Sequence, residues 1–156
     1  MADLTHVDSR GEARMVDVSA KEITARQATA TAKVVTTPEV VALLRGEGVP
    51  KGDALAVARI AGIAAAKRTP DLIPLCHPIA IHSVKVDLEV VDDGVAITAI
   101  VRTADRTGIE MEALTSASVA GLNIIDMIKA VDPAATITDV RVEQKLGGKT
   151  GEWNRP

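Results

Sequence analysis

The chain reads as an α+β domain of the ferredoxin-like split β-α-β type: an antiparallel sheet with its helices on one face. Three observations predict it. Segments alternating with period two and segments repeating at three and four follow each other as strand, helix in two pieces, strand, strand, helix, strand. A turn signal, Asp92-Asp93-Gly94, folds the two middle strands into a hairpin. The helical segments carry small apolar faces that permit close approach to a sheet or to each other.

Taken in order, residues 1–14 are polar and without periodicity, and predict a loose arm. Met15-Val16-Asp17-Val18-Ser19 alternates briefly and predicts a short strand. Ala28 to Val35 alternates Ala and Val with Thr and Lys, as a half-buried strand does. Thr37-Pro38-Glu39 supplies a cap, a first-turn proline and an early carboxylate for a helix reaching Leu44. Asp53 caps a helix over 54–67, whose face is small: Ala58, Ala61, Gly62, Ala65. Ser83 to Val91 places Val84, Val86, Leu88 and Val90 on one face, and Val95 to Arg102 is its partner. Ile109 to Ala130 is a long helix striped by Leu114, Ser118, Leu122, Ile125 and Ile128, ended by Asp132-Pro133. Thr136 to Lys145 is the last strand, with its alternation slipping near Asp139. Leu146-Gly147-Gly148-Lys149-Thr150-Gly151 opens a polar tail. The strands hold enough apolar residues to suggest burial on both sheet faces, and oligomerisation is the simplest cover for the second.

A chain of 156 residues with 47% hydrophobic residues fits one globular domain, 1–156, with flexible ends at 1–14 and 147–156. Without Phe or Tyr, and with Trp153 alone, it lacks the rings that stack single-stranded nucleic acid. A net charge of −3 gives no global basic footprint, so no nucleic-acid partner is expected. Cys76, the single cysteine, excludes an internal disulfide and a multi-cysteine metal site. The first residues form no secretory signal and no apolar run is long enough to span a membrane, so the expected location is cytoplasmic.

Chemistry concentrates in Lys67-Arg68-Thr69-Pro70-Asp71-Leu72-Ile73-Pro74-Leu75-Cys76-His77-Pro78. Its prolines predict a stiff, extended segment that fixes His77 in place. The plainer account is a proline-rich surface connection that carries a histidine. A metal on Cys76, His77 and His82 is disfavoured, because neighbours on an extended segment point to opposite sides. Asp126 and Lys129 share a helix face, as an ordinary ion pair or as a lysine acid–base group oriented by a carboxylate. Glu110 and Glu112 fall in the first turn of the long helix, where the helix dipole favours carboxylates. Lys51, Lys67, Arg68, Lys129, Lys145 and Lys149 lie on five segments; converged, they suit a polyphosphate. Gly147-Gly148-Lys149-Thr150 fails as a P-loop, because Glu143 stands where the first glycine belongs and no helix follows. It is better described as a Gly-rich flap.

These residues together resemble one family. Lys51-Gly52-Asp53 with Ala58-Arg59-Ile60-Ala61-Gly62 forms one block of the likeness. Lys67-Arg68-Thr69 with Asp71 to Pro78 forms the next. Gly108-Ile109-Glu110-Met111-Glu112-Ala113-Leu114-Thr115 and Asp126-Met127-Ile128-Lys129-Ala130-Val131 follow. Leu4-Thr5-His6, Met15 to Val18 and Gly147-Gly148-Lys149 fit its ends. The chain resembles the MoaC family, the cyclic pyranopterin monophosphate synthases of molybdenum-cofactor biosynthesis, over nearly all its length.

The resemblance implies a lyase that converts 3′,8-cyclo-7,8-dihydroguanosine 5′-triphosphate, made by a radical-SAM enzyme, into cyclic pyranopterin monophosphate and pyrophosphate. It implies a ferredoxin-like fold, a homohexamer built as a trimer of dimers, and a site at the dimer interface. Asp126 and Lys129 match the family's catalytic pair, and Lys51 joins them as an acid–base group. Leu75, Cys76, His77, Met111 and Glu112 match substrate contacts, with Glu112 at the base or pterin end. Lys67, Lys149 and Arg26 match basic positions, and Lys67, Lys149 and His77 are expected to hold the triphosphate. No tightly bound cofactor or metal is expected, with Mg²⁺ entering only as a companion of the triphosphate. The rival readings are a nucleotide-sensing module, which binds without turnover, and a structural assembly subunit, which binds no nucleotide.

Overall fold

The computed structural model describes residues 4–46 and 53–156. Five strands, β1 (Thr24–Val35), β2 (Ile81–Val91), β3 (Gly94–Asp105), β4 (Thr136–Leu146) and β5 (Trp153–Asn154), form one antiparallel sheet. Their spatial order is β2-β3-β1-β4-β5. Four helices complete the chain: α1 (Pro38–Arg45), α2 (Ala54–Ala66), α3 (Thr69–Leu72) and α4 (Glu110–Ile128). With β3 lying between β1 and β2, the first four strands have the split β-α-β arrangement that the order of elements predicts.

Alternation in the strands decides which face is dry. Ala28, Ala30, Ala32 and Val34 of β1 and Val95, Ile97, Ala99 and Val101 of β3 are buried, and they pair across the sheet as Ala30 with Ala99 and Val34 with Val95. α2 and α4 lie over them. Small residues let these layers come close: a Cβ on Gly62 would stand 3.1 Å from the Ser116 carbonyl oxygen and 3.3 Å from Ala120 Cβ.

The buried stripe of α4 differs from the expected one. It runs through Ala113, Ser116, Ala117, Ala120, Gly121, Ile124, Met127 and Ile128, whereas Leu122 is 57% exposed. Close helix packing buries the small residues and turns the larger Leu122 outward. The second sheet face also departs from expectation. It carries Gln27, Thr29, Thr31 and Lys33 of β1 beside Thr98 and Arg102 of β3. These side chains pair among themselves and with β4: Arg102 Nε donates to Gln27 Oε1 at 2.6 Å, and Thr31 Oγ1 donates to Glu143 Oε1 at 2.7 Å. Of the six large apolar side chains of β1 and β3, Val34, Val95, Ile97 and Val101 lie on the helix side and only Val35 and Ile100 on this one, so this face is mainly polar.

Met15 to Ser19 forms no strand. Residues 4–14 fold into a turn with a bridge between Val7 and Ala13, and the Asp8 carboxylate accepts the backbone N–H groups of Arg10 and Glu12. The slip near Asp139 is a true bulge: Thr31 pairs with Arg141 but Lys33 pairs with Thr138, and Asp139 takes φ 54°. The C-terminal tail adds the two-residue edge strand β5 that its composition did not signal.

The hairpin forms at Asp92-Asp93, with Val91 paired to Gly94. Gly94 has φ 157°, and a Cβ there would fall 1.7 Å from the Val34 carbonyl oxygen. Gly94→Ala must therefore pry β1 from β3 at their tightest point. It should cost about 2–4 kcal/mol, read as a lower urea midpoint with an unchanged slope.

Candidate functional site

Chain direction sorts the charged residues into two groups. α2 follows β1 and returns against it, while α4 follows β3 and runs alongside β1. The C-terminal end of α2 therefore lies beside the N-terminal end of α4, as the closeness of Gly62 to Ser116 requires. The 73–80 loop, the start of β1 and the end of β4 meet at this same end.

A cavity of about 230 Å³ opens there. Leu75, Cys76 and His77 of the loop line it together with Met111 and Glu112 of α4. These two blocks are distant in sequence, and the fold brings five expected substrate-contacting residues into one wall. Cys76 and His77 share the cavity instead of pointing apart. The segment is not extended where it was expected to be: α3 makes one helical turn, and Cys76 N–H then bonds the Ile73 carbonyl at 3.0 Å. Among the described residues no group of three His, Cys, Asp or Glu side chains is arranged to hold a metal.

The rest of the cavity comes from a stretch whose role the sequence does not announce. Thr5, His6, Val16, Val18 and Lys21 form its outer wall. Val16 and Val18, whose brief alternation reads as a strand, both line the cavity. His77 Nε2 lies 2.6 Å from the Val16 carbonyl oxygen and ties the wall to the loop. The 105–109 turn is held beside it, because Asp105 accepts the Arg106 and Ala80 N–H groups, which keep its carboxyl below the usual range.

Electrostatics set the character of this cavity. Glu112 is only 2% exposed. Burial pushes its pKa up to about 7, its own backbone N–H offsets part of the shift, and nearby Glu110 adds to it. A carboxyl poised there can give or take a proton near neutrality. The Cys76 thiol is pushed up by burial and by Glu112, which keeps it protonated and removes it as an activated nucleophile.

A second cavity of about 220 Å³ shares Thr107, Gly108 and Glu110 with the first. Arg26 and Lys145 line it, and Lys145 Nζ lies 2.9 Å from Glu110 Oε1. Arg26 is fixed by its Nε–H bond to the Asp105 carbonyl at 3.2 Å, and Gly148 packs against its guanidinium, where a Cβ would fall 2.3 Å from Nη1. Lys149 is exposed and lines neither cavity, so the tail contributes its glycines to this site and β4 contributes the cation. Lys67 is the exposed cap residue of α2 at the same end of the molecule, outside both cavity walls.

The expected catalytic pair lies elsewhere. Lys129 Nζ donates to Asp126 Oδ1 at 2.6 Å, and both side chains are more than half exposed. About 21 Å of helix separates Asp126 from Glu112. Within one copy Lys129 is exposed and lies far along the helix from Glu112. Lys51 lies outside the described residues; Asp53, which caps α2 by accepting the Ala56 N–H, is at the Lys129 end.

Residues 15–148 match the model of the MoaC family. The chain is 69% identical to the cyclic pyranopterin monophosphate synthase of Streptomyces coelicolor over 152 residues, 97% of this chain and 89% of that protein. It is 67% identical to the protein of the same name from a Nocardioides species, covering 98% of this chain and 96% of the relative. Cyclic pyranopterin monophosphate synthase 2 of Mycobacterium tuberculosis is 57% identical, over 98% and 92%.

Proposed function

Because this chain belongs to the MoaC family, we propose that it is a cyclic pyranopterin monophosphate synthase. It acts as a lyase on 3′,8-cyclo-7,8-dihydroguanosine 5′-triphosphate, releases pyrophosphate, and serves molybdenum-cofactor biosynthesis downstream of a radical-SAM enzyme. The observation that carries the reading is the convergence of Leu75-Cys76-His77 with Met111-Glu112 on one cavity beside a second that holds Arg26 and Lys145. The first has groups to select a heterocycle and move protons. The second offers positive charge where expelled phosphate oxygens gather negative charge.

The complete site takes Asp126 and Lys129, with Lys51, from a second copy of the chain. The support is the distance between the two groups within one copy, together with an apolar surface on the helix layer that is exposed among the described residues. Val57, Ile60 and Leu122 are 42%, 69% and 57% exposed there, and Met111 reaches the same layer from the cavity rim. A twofold pair of copies repeats each half-site and so completes two sites. In the completed site Lys129 and Lys51 exchange protons, Asp126 orients Lys129, Glu112 meets the heterocycle, and Arg26, Lys67 and Lys149 face the triphosphate. Mg²⁺ travels with the triphosphate, no resident cofactor takes part, and the dimers assemble as a hexamer. No helix among the described residues is long and apolar enough to cross a membrane; we place the enzyme in the cytoplasm with its nucleotide substrate.

A single-turnover experiment with the cyclised nucleotide tests this reading. One pyrophosphate and one cyclic pyranopterin monophosphate per site is the expected result. Bound but unchanged nucleotide would make the protein a sensor, and no binding would make it a structural subunit.

A further inference from the structure

We propose that the Val16 carbonyl is a positioning group for His77: it holds the imidazole with its proton on Nε2, so that the nitrogen offered to the substrate is Nδ1, an acceptor. The proposal rests on the reading of His77 as a substrate-facing residue. Its consequence is that His77 meets an N–H or O–H donor of the heterocycle or sugar, and not the triphosphate, whose oxygens can only accept.

His77 Nε2 and the Val16 carbonyl oxygen are 2.6 Å apart. A carbonyl oxygen has no proton to give, so the hydrogen of this bond sits on Nε2. In a neutral ring that leaves Nδ1 bare. Nδ1 makes no hydrogen bond among the described residues, and His77 lines the same cavity as Cys76 and Glu112. A backbone carbonyl that fixes one ring nitrogen sets the task of the other.

The nearby carboxylate does not compete for this role. Asp17 is close enough for its charge to interact with His77, but its Oδ1 accepts the Ser19 N–H at 2.9 Å. Asp17 is thus engaged in its own turn, and that turn fixes the chain just after Val16. The carrier of the carbonyl is a strap. No residue from 4 to 22 is buried. Among the described residues its hydrogen bonds to the rest of the molecule are the His77–Val16 bond and Arg106 Nε donating to the Lys21 carbonyl at 3.1 Å. Both attachments bracket the Val16–Lys21 stretch that walls the cavity. The strap is therefore fastened where it orients the imidazole.

The test uses the full-length protein labelled with ¹⁵N-histidine, which has three histidines. The His77 signals are identified by their loss in His77→Gln. The expected spectrum shows a protonated, slowly exchanging Nε2 with an NOE to Val16 Hα, and an unprotonated Nδ1 that shifts when the cyclised nucleotide binds. The variant supplies the second readout. Gln keeps an N–H donor near the Nε2 position but offers no acceptor at Nδ1. Amide exchange of residues 14–21 should stay as in the wild type while kcat falls about 100-fold. A proton on Nδ1 in the free protein overturns the proposal, as does a Gln variant within about tenfold of wild-type kcat. Failure of the lyase reading is separately visible as an unchanged nucleotide with the wild-type protein, since the tautomer is read without turnover.

Discussion

Lys129→Ala lowers kcat by about 10³-fold and leaves the unfolding curve where it was. The two halves of this result have different causes. In one copy Lys129 is 57% exposed and, among the described residues, bonded within its own helix turn to Asp126 three residues earlier. Such a pair stabilises a helix by about 0.2–0.5 kcal/mol, too little to move a melting temperature far. On the proposed function, the loss in rate comes from removing an ammonium that exchanges protons with the substrate once a neighbouring copy encloses it. Pre-steady-state turnover and urea unfolding of the same preparation check both halves. Near-wild-type turnover removes Lys129 from the chemistry, and a large loss of stability makes its role structural.

The second large effect belongs to Glu112. Its pKa is about 7 in the folded chain against an ordinary 4.5. Between these values the folded state holds the proton and the unfolded state releases it, so stability falls as pH rises from 4.5 to 7 and is level above that. The full drop is about 3 kcal/mol, and the side chain is buried enough for solvent to screen little of it. Glu112→Gln carries no charge at any pH and removes the slope. At pH 8 the variant should therefore be more stable than the wild type by up to about 3 kcal/mol, while turnover falls because an amide neither gives nor takes the proton. Unfolding free energies measured from pH 4 to 8 decide it: parallel curves for the two proteins would mean that Glu112 is ionised in the fold. A gain in stability joined to a loss in rate is what a functional group buried at a cost should show.

The sheet was readable because β1 and β3 alternate without interruption, and solvent on one side with core on the other leaves no other register for Ala28 to Val34. The bulge at Asp139 was readable for the same reason, since a register slip breaks the alternation. The stripe of α4 was not. Spacing at three and four puts Leu114, Ser118, Leu122, Ile125 and Ile128 on one stripe, but where Gly62 meets Ser116 and Ala120 there is no room for a leucine, and the neighbouring face of small residues is the buried one. Val16 and Val18 misled in another way: their alternation serves a cavity wall, and a stretch held by two hydrogen bonds has no strand partner to declare it. Lys145 and Lys149 are four residues apart, and composition does not distinguish them. Strand register places Lys145 on the helix side opposite Ala28, where it reaches Glu110. The separation of Lys129 from His77 lay beyond reading, because it follows from the direction of α4 in the assembled sheet.

In the proposed enzyme the halves of one site come from different copies. Mixing His77→Ala with Lys129→Ala, after dissociation and reassembly, shows whether they do. Each variant alone is inactive. If the site is shared, every mixed dimer regains one intact site, and random pairing restores about one quarter of wild-type activity. Activity that stays at the level of the separate variants, with mixed dimers shown to have formed, would mean that His77 and Lys129 act from the same chain or not together at all.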